Sequence, residues 1–130
     1  MLLALFLFES WNSLGADEGD FSYEPEGTGA RVSRYRGSKT AVVIPEKLGG
    51  LSVISIGGYV FSGRPDLTSV TLPKTVTTIG LFAFSGCSGL TNVAIPTTVS
   101  SIGRSAFAGC KSLTGITIPN AITSIGQSAY

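Results

Sequence analysis

The sequence contains no histidine, and cysteine occurs only at Cys87 and Cys110 among its 130 residues. Without histidine, the usual serine–histidine and cysteine–histidine pairs of nucleophilic catalysis cannot form. A zinc site of the Cys₂His₂ type is excluded for the same reason. Because no other group of ionisable residues has a catalytic or ligand-type spacing, we expect no enzyme, no metal site and no cofactor.

Charge is also scarce, at 13% of residues, and the net charge is only +1. Every acidic residue lies at or before Asp66, and beyond it only Lys74, Arg104 and Lys111 are charged. Nucleic-acid binding depends on neutralising phosphates and requires a basic stripe, and the small cluster between Arg31 and Lys39 does not form one. We therefore expect no nucleic-acid partner.

Long apolar runs are missing, since Leu2–Phe8 spans only seven residues and a membrane helix needs about 20. We expect no membrane span within this chain. The run has the size of a short signal-peptide core and is followed by small residues at Ser13–Gly15, although a basic segment does not precede it. Residues 1–16 are therefore interpreted as a truncated signal peptide, with a locally packed end as the alternative.

A period of 23 residues organises the second half of the chain. TTIGLFAFSGC, Thr77–Cys87, returns as SSIGRSAFAGC, Ser100–Cys110, and its opening returns again as TSIGQSAY, Thr123–Tyr130. The same step relates several sets of apolar and turn residues: Leu67, Leu90 and Leu113; Pro73, Pro96 and Pro119; Phe84, Phe107 and Tyr130. An imperfect upstream copy contains Val53, Ile56 and Phe61. A fixed period of this length predicts a solenoid of stacked coils.

Within one repeat, LTSVTLP has the alternation of a short strand that ends at Pro73. Its apolar residues are expected to point inward, followed by Val76 and Ile79, after which Gly80 turns the chain. AFSGC then predicts a single helical or 3₁₀ turn that buries Phe84. The expected fold class is a mainly-β solenoid, with parallel strands about 4.8 Å apart and the short helical turns on its convex side.

Upstream of the repeats, Phe21–Tyr23 and Ala30–Tyr35 flank a turn and predict a hairpin that shields the open end of the first coil. Residues 17–40 are therefore expected to form an acidic linker and this capping hairpin. Residues 41–130 are expected to form the solenoid, with an incomplete last repeat that continues beyond Tyr130.

Cys87 and Cys110 occupy the same position in neighbouring repeats. Stacked side chains point in one direction, whereas a disulfide needs them to converge, so we predict buried free thiols. A disulfide remains the alternative, because the strand spacing brings the two Cα atoms within its range.

The outward residues of the strands are small and polar, and they are the predicted partner-binding residues: Thr68, Ser69, Thr71, Thr91, Asn92, Thr114 and Thr117. The alternative is that they only keep a strand surface soluble. The corresponding functional hypotheses are a non-catalytic module that binds proteins through this face, and a structural spacer that presents another domain.

LTSVTLPKTVTTIGLFAFSGC and LTNVAIPTTVSSIGRSAFAGC resemble the BspA-type leucine-rich repeat. The resemblance implies a leucine-rich-repeat solenoid in a secreted or cell-surface protein. It also implies adhesion or protein binding, with host matrix or surface glycoproteins among the partners. The sequence differs from ordinary leucine-rich repeats in lacking an asparagine ladder, since that position holds Thr75, Thr98 and Ala121.

Overall fold

The computed structural model describes residues 16–114, 116, 119 and 124–126. These residues contain the following strands: β1 Ala16–Glu18, β2 Phe21–Glu26, β3 Gly29–Tyr35, β4 Ala41–Val43, β5 Lys47–Leu48, β6 Leu51–Ile56, β7 Ser69–Thr71, β8 Thr78–Ile79, β9 Asn92–Ala94, β10 Ser101–Ile102 and β11 Ser124–Ile125. Among them there is no helix, and so none that is long and apolar enough to cross a membrane. The predicted mainly-β solenoid is confirmed.

Each repeat contributes two strands to two separate parallel ladders. The smaller sheet has the order β4–β7–β9 and contains the strand predicted from LTSVTLP. The larger sheet runs β1–β2–β3–β6–β8–β10–β11, with β5 paired to β6 at its side. The strand Thr78–Ile79, which belongs to the larger sheet, is not predicted from the sequence, because a two-residue segment shows no alternation of apolar and polar residues.

The register of both ladders follows the sequence period. Val70 lies beside Val93 in the smaller sheet, and Ile79 lies beside Ile102 in the larger one. The backbone hydrogen bonds between coils recur once per repeat. Gly80 N–H donates to Ile56 C=O at 2.8 Å, and the equivalent Gly103 N–H donates to Ile79 C=O at 2.8 Å. Residues 23 apart are therefore neighbours in space.

The hairpin β2–β3 caps the first coil, as predicted. β3 pairs in parallel with β6, so that Val32 lies opposite Ile56 and the hairpin extends the larger sheet. β2 continues through Pro25 to Glu26, so the turn is shorter than the sequence suggested. The acidic segment expected to be a linker forms a strand at residues 16–18, which pairs antiparallel with β2.

The interior is formed by the apolar residues that repeat. Leu67 and Leu90 are fully buried, whereas Leu113 in the last described coil is only partly buried against the same core. The alternation within LTSVTLP is as expected, since Val70 and Leu72 are buried while Thr68 and Thr71 are exposed. The core is thus continuous along the stack.

The segments expected to be short helical turns are successive hydrogen-bonded turns. Ser85 N–H donates to Phe82 C=O, and Cys87 N–H donates to Phe84 C=O, both at 3.2 Å. Gly86 ends this series and Gly109 ends the equivalent series of the next coil, each with a φ of +76°, a conformation that glycine adopts without steric cost. These bonds have 3₁₀-type spacing, but the residues do not form a continuous helix.

Gly80 has a different role from the turn that the sequence suggested. Its φ is not in the left-handed region, and a Cβ atom there would lie 2.7 Å from the carbonyl carbon of Gly57. Gly103 meets the backbone of the preceding coil in the same way, at 2.5 Å from Leu81 N. The recurring Ile-Gly pair therefore marks a point where neighbouring coils approach too closely for a side chain.

Candidate functional site: the strand face

The candidate site is the outward surface of β4, β7 and β9, which we call the strand face. Its strands are held in register, with Ala41 beside Ser69 and Ser69 beside Asn92. Val43 likewise lies beside Thr71. Inward residues such as Val70 anchor each strand in the core, so the outward residues are carried on a fixed backbone.

Two predicted residues of this face use their hydroxyl groups within the protein. Thr68 Oγ1 donates to Thr40 C=O at 2.9 Å, and Thr91 Oγ1 donates to Thr68 C=O at 3.1 Å. Both side chains are exposed. Because their protons are engaged, the outward lone pairs of these hydroxyls can only accept hydrogen bonds.

The remaining predicted residues differ in exposure. Thr71, Asn92 and Thr114 are exposed, and Ser69 is half-buried. Among the described residues, the side chains of Ser69, Thr71 and Asn92 make no hydrogen bond, so they can donate as well as accept. Thr117 lies outside the described residues.

Two residues of the face were missed by sequence reasoning. β4 places Ala41 and Val43 on the same surface, and Val43 has 69% of its surface exposed. β4 is displaced from the 23-residue step by the insertion around Lys47–Gly50, so that Ala41 pairs with a residue 28 positions later. The alternation of Val42 and Ile44 was the signal that could have placed Val43 on this face.

The face carries no charged side chain on its described strands. It consists of small polar groups with a few exposed apolar ones, of which Val43 is the largest. Such a surface offers hydrogen bonds and modest apolar contact, but no strong electrostatic field. It is suited to docking and offers no group for acid–base chemistry.

The two cysteines pack in or against the core of the solenoid. Both are free, with Cys87 buried and Cys110 half-buried. Cys87 Sγ donates to Phe61 C=O at 2.9 Å, and Cys110 Sγ donates to Phe84 C=O at 3.1 Å. The prediction of free thiols is confirmed, although Cys110 is less buried than expected.

Burial also makes the thiols less reactive. It raises the pKa of Cys87, and it raises the pKa of Cys110 to about 11, with the neighbouring Cys87 adding to the effect. Since the thiolate is the nucleophile and the metal ligand, the raised pKa values lower the reactivity of both cysteines near neutral pH. Among the described residues, no group of three or more side chains could hold a metal ion.

Arg64 occupies the position of these cysteines in the first coil, one period upstream of Cys87. Its guanidinium donates to Tyr35 C=O at 2.6 Å and to Gly37 C=O at 2.9 Å. The same group lies 4.9 Å from the centre of the Tyr35 ring. This position therefore satisfies backbone carbonyls of the layer before it. A thiol bonds to the preceding coil, and the Arg64 guanidinium bonds to the end of the hairpin and the residues that follow it.

Threonine side chains also donate hydrogen bonds to backbone carbonyls, at the position where ordinary leucine-rich repeats have asparagine. Thr75 Oγ1 donates to Val53 C=O at 2.6 Å, and Thr98 Oγ1 donates to Val76 C=O at 2.7 Å. Each hydroxyl bridges to the preceding coil. The absence of an asparagine ladder is therefore compensated by a threonine ladder.

Comparison with solved structures identifies several similar bacterial proteins. A leucine rich repeat protein of T. pallidum is 35% identical, with a TM-score of 0.81, and the match covers 86% of this chain and 53% of that one. A leucine rich cell surface protein of Faecalibacterium prausnitzii is 34% identical, with a TM-score of 0.82, over 88% of this chain and 33% of that one. A leucine-rich repeat protein of Bacteroides ovatus is 34% identical, with a TM-score of 0.75, over 85% of this chain and 31% of that one.

The chain thus spans between 31% and 53% of the length of these neighbours. No curated protein matches it. The model of the BspA type leucine rich repeat region matches residues 38–130, which is most of the chain. The protein therefore belongs to the BspA-type leucine-rich-repeat family.

Proposed function

We propose that this chain is a non-catalytic binding module of a secreted or cell-surface protein, and that it binds other proteins through the strand face. The observation that carries the proposal is the register of exposed, uncharged side chains on three rigid strands, among them Thr71, Asn92 and Val43. The surface location is supported by the Faecalibacterium prausnitzii neighbour, which is described as a cell surface protein.

This face is suited to partner proteins whose surfaces offer uncharged hydrogen-bonding groups. Hydroxyl and amide side chains adapt to different partner groups, and the fixed strands limit the entropy lost when the complex forms. Host matrix and surface glycoproteins, the partners that the resemblance to the BspA-type repeat implies, are the candidates to test first. Because the face has little charge, we expect its binding to depend only weakly on salt concentration.

The test is binding of the full chain to a panel of purified matrix glycoproteins, including laminin and fibronectin, measured by surface plasmon resonance. The face variant combines Thr71→Lys with Asn92→Lys, two exposed positions. The control variant combines Ser88→Lys with Thr97→Lys. It adds the same charge at positions where the neighbouring coils already hold lysine, namely Lys111 and Lys74.

We expect the face variant to lose about tenfold or more in affinity, which is a free-energy change of about 1.4 kcal/mol, while the control variant binds like the parent chain. Equal binding by both variants would show that another surface is used. If the parent chain binds none of the panel, the adhesive role fails and a spacer that presents another domain becomes the better account.

A further inference from the structure

The two sheets of the solenoid begin differently at their N-terminal ends. The larger sheet is extended by the hairpin β2–β3 and by β1, so its first coil is covered. The smaller sheet begins with β4, and no described strand pairs with the outer edge of β4. An uncovered strand edge presents backbone groups that can pair with another chain.

The hydrogen-bond pattern shows which groups of β4 point outward. Thr40 C=O accepts from Ser69 N–H, and Ile44 N–H donates to Thr71 C=O, so these groups face β7. Because backbone groups alternate in direction along a strand, the N–H and C=O groups of Ala41 and Val43 face away from β7. Within the described part of the chain, no strand is placed to accept or donate to these four groups.

An open cleft of about 110 Å³ lies along this edge. Its lining includes Phe21, Tyr35 and Val42 of the core, together with the edge residues Ala41 and Val43. Asp20 and Lys39 complete the lining, and among the described residues neither takes part in an ion pair. The cleft therefore combines free backbone groups, an apolar floor and one charge of each sign.

We propose that the outer edge of β4 is a docking site for an extended segment of a partner protein. The segment adds a strand to the smaller sheet through the N–H and C=O groups of Ala41 and Val43. One aliphatic side chain of the segment enters the cleft, and flanking residues of opposite charge pair with Asp20 and Lys39.

The flanks of β4 favour a short segment over a second copy of this chain. β4 has three residues and lies between Lys39 and Pro45. A short edge with a lysine and a proline beside it opposes edge-to-edge pairing of two sheets, whereas it leaves room for a few paired residues. The edge shares Ala41 and Val43 with the strand face, but it uses their backbone groups, whereas the face variant changes side chains on β7 and β9. The two proposals can therefore fail separately.

The probe is a peptide selected from a phage-displayed library of short random sequences, panned against the full chain. Val43→Pro removes an N–H group that points away from β7, so the ladder to β7 is kept. Val43→Thr is the matched control, because it keeps the N–H group and the β-branched shape. Circular dichroism and thermal unfolding confirm that each variant is folded.

We expect the selected peptide to bind Val43→Pro about tenfold more weakly than the parent chain, and to bind Val43→Thr with nearly unchanged affinity. Hydrogen exchange should show the amides of Ala41 and Val43 unprotected in the free chain and protected in the complex. Asn92→Lys, two strands away, should leave the binding of this peptide intact even where it abolishes glycoprotein binding.

Four results would overturn the proposal. They are a library with no enriched peptide, equal affinity of the two Val43 variants, protection of both amides in the free monomer, and a dimer that Val43→Pro dissociates. Protection in the free monomer would assign the edge to another segment of this chain. The dimer would assign it to a second copy.

Discussion

The rings of Phe61 and Phe84 stack with their centroids 5.3 Å apart and their planes 3° from parallel. Phe107 continues the stack at 5.2 Å from Phe84, and Tyr35 and Phe21 of the cap extend it at 5.3 and 5.2 Å. A column of aromatic rings thus runs from the capping hairpin through three coils. It joins the cap to the repeats by direct packing of side chains.

Phe84→Ala should be strongly destabilising, because the ring lies within this column and is fully buried. The expected loss in the free energy of unfolding is about 3–5 kcal/mol. The control is Phe82→Ala, since among the described residues the Phe82 ring stacks only on Tyr59, which is 58% exposed. Its expected loss is about 1 kcal/mol. Urea unfolding of both variants checks the difference, and similar losses would contradict the role of the column.

Gly80 and Gly86 should respond differently to substitution. Gly80→Ala places a Cβ against the backbone of the preceding coil and should cost about 2 kcal/mol or more. Gly86→Ala has space but keeps a left-handed φ, and should cost about 1–2 kcal/mol. Asparagine tolerates that φ, so Gly86→Asn should recover stability relative to Gly86→Ala. Gly80→Asn should show no such recovery when the same variants are unfolded by urea.

Thr75→Val should reveal the contribution of the threonine ladder to stability. It removes the donor to Val53 C=O at a half-buried residue, where water replaces the bond poorly, and the expected loss is about 1 kcal/mol. Thr77→Val is the control, because its hydroxyl makes the analogous bond to Ile54 C=O at an exposed site. We expect its loss to be near zero by denaturant unfolding. An equal loss at both positions would show that burial of the bond is irrelevant.

The Cys110 thiol should make stability depend on pH in the alkaline range. Its pKa rises from 9.0 to about 11 in the folded chain, so the folded state retains the proton that the unfolded state loses. This contribution is complete below pH 9 and is lost as the pH rises toward about 11. Cys110→Ala lacks it, so the stability difference between parent and variant should shrink over that range. A difference that stays constant with pH would contradict the raised pKa.

The sequence was sufficient to predict the stacked coils, since period and alternation together identify which side chains share the core. Leu67, Val70 and Leu90 are buried as their spacing requires. The capping hairpin was predicted for the same reason, because its two apolar segments flank residues that favour a turn. These features depend on patterns that are local in the chain or repeated along it.

Other features depend on contacts that no local pattern records. The ladder through Thr78–Ile79, the packing of Tyr35 on Phe61 and the bonds from Arg64 to the hairpin all join segments that are far apart in sequence. Gly80 was assigned to a turn because glycine is common in turns, whereas the distance between coils explains it. Val43 was missed because the insertion before β6 breaks the period.

The central claim is that residues one repeat apart lie over one another in the core. Nuclear Overhauser effects between the ring protons of selectively labelled phenylalanines test it directly. The account predicts strong effects between Phe61 and Phe84 and between Phe84 and Phe107, and none between Phe61 and Phe107, which are two coils apart. Absence of the first two effects, in a chain shown to be folded, would contradict it.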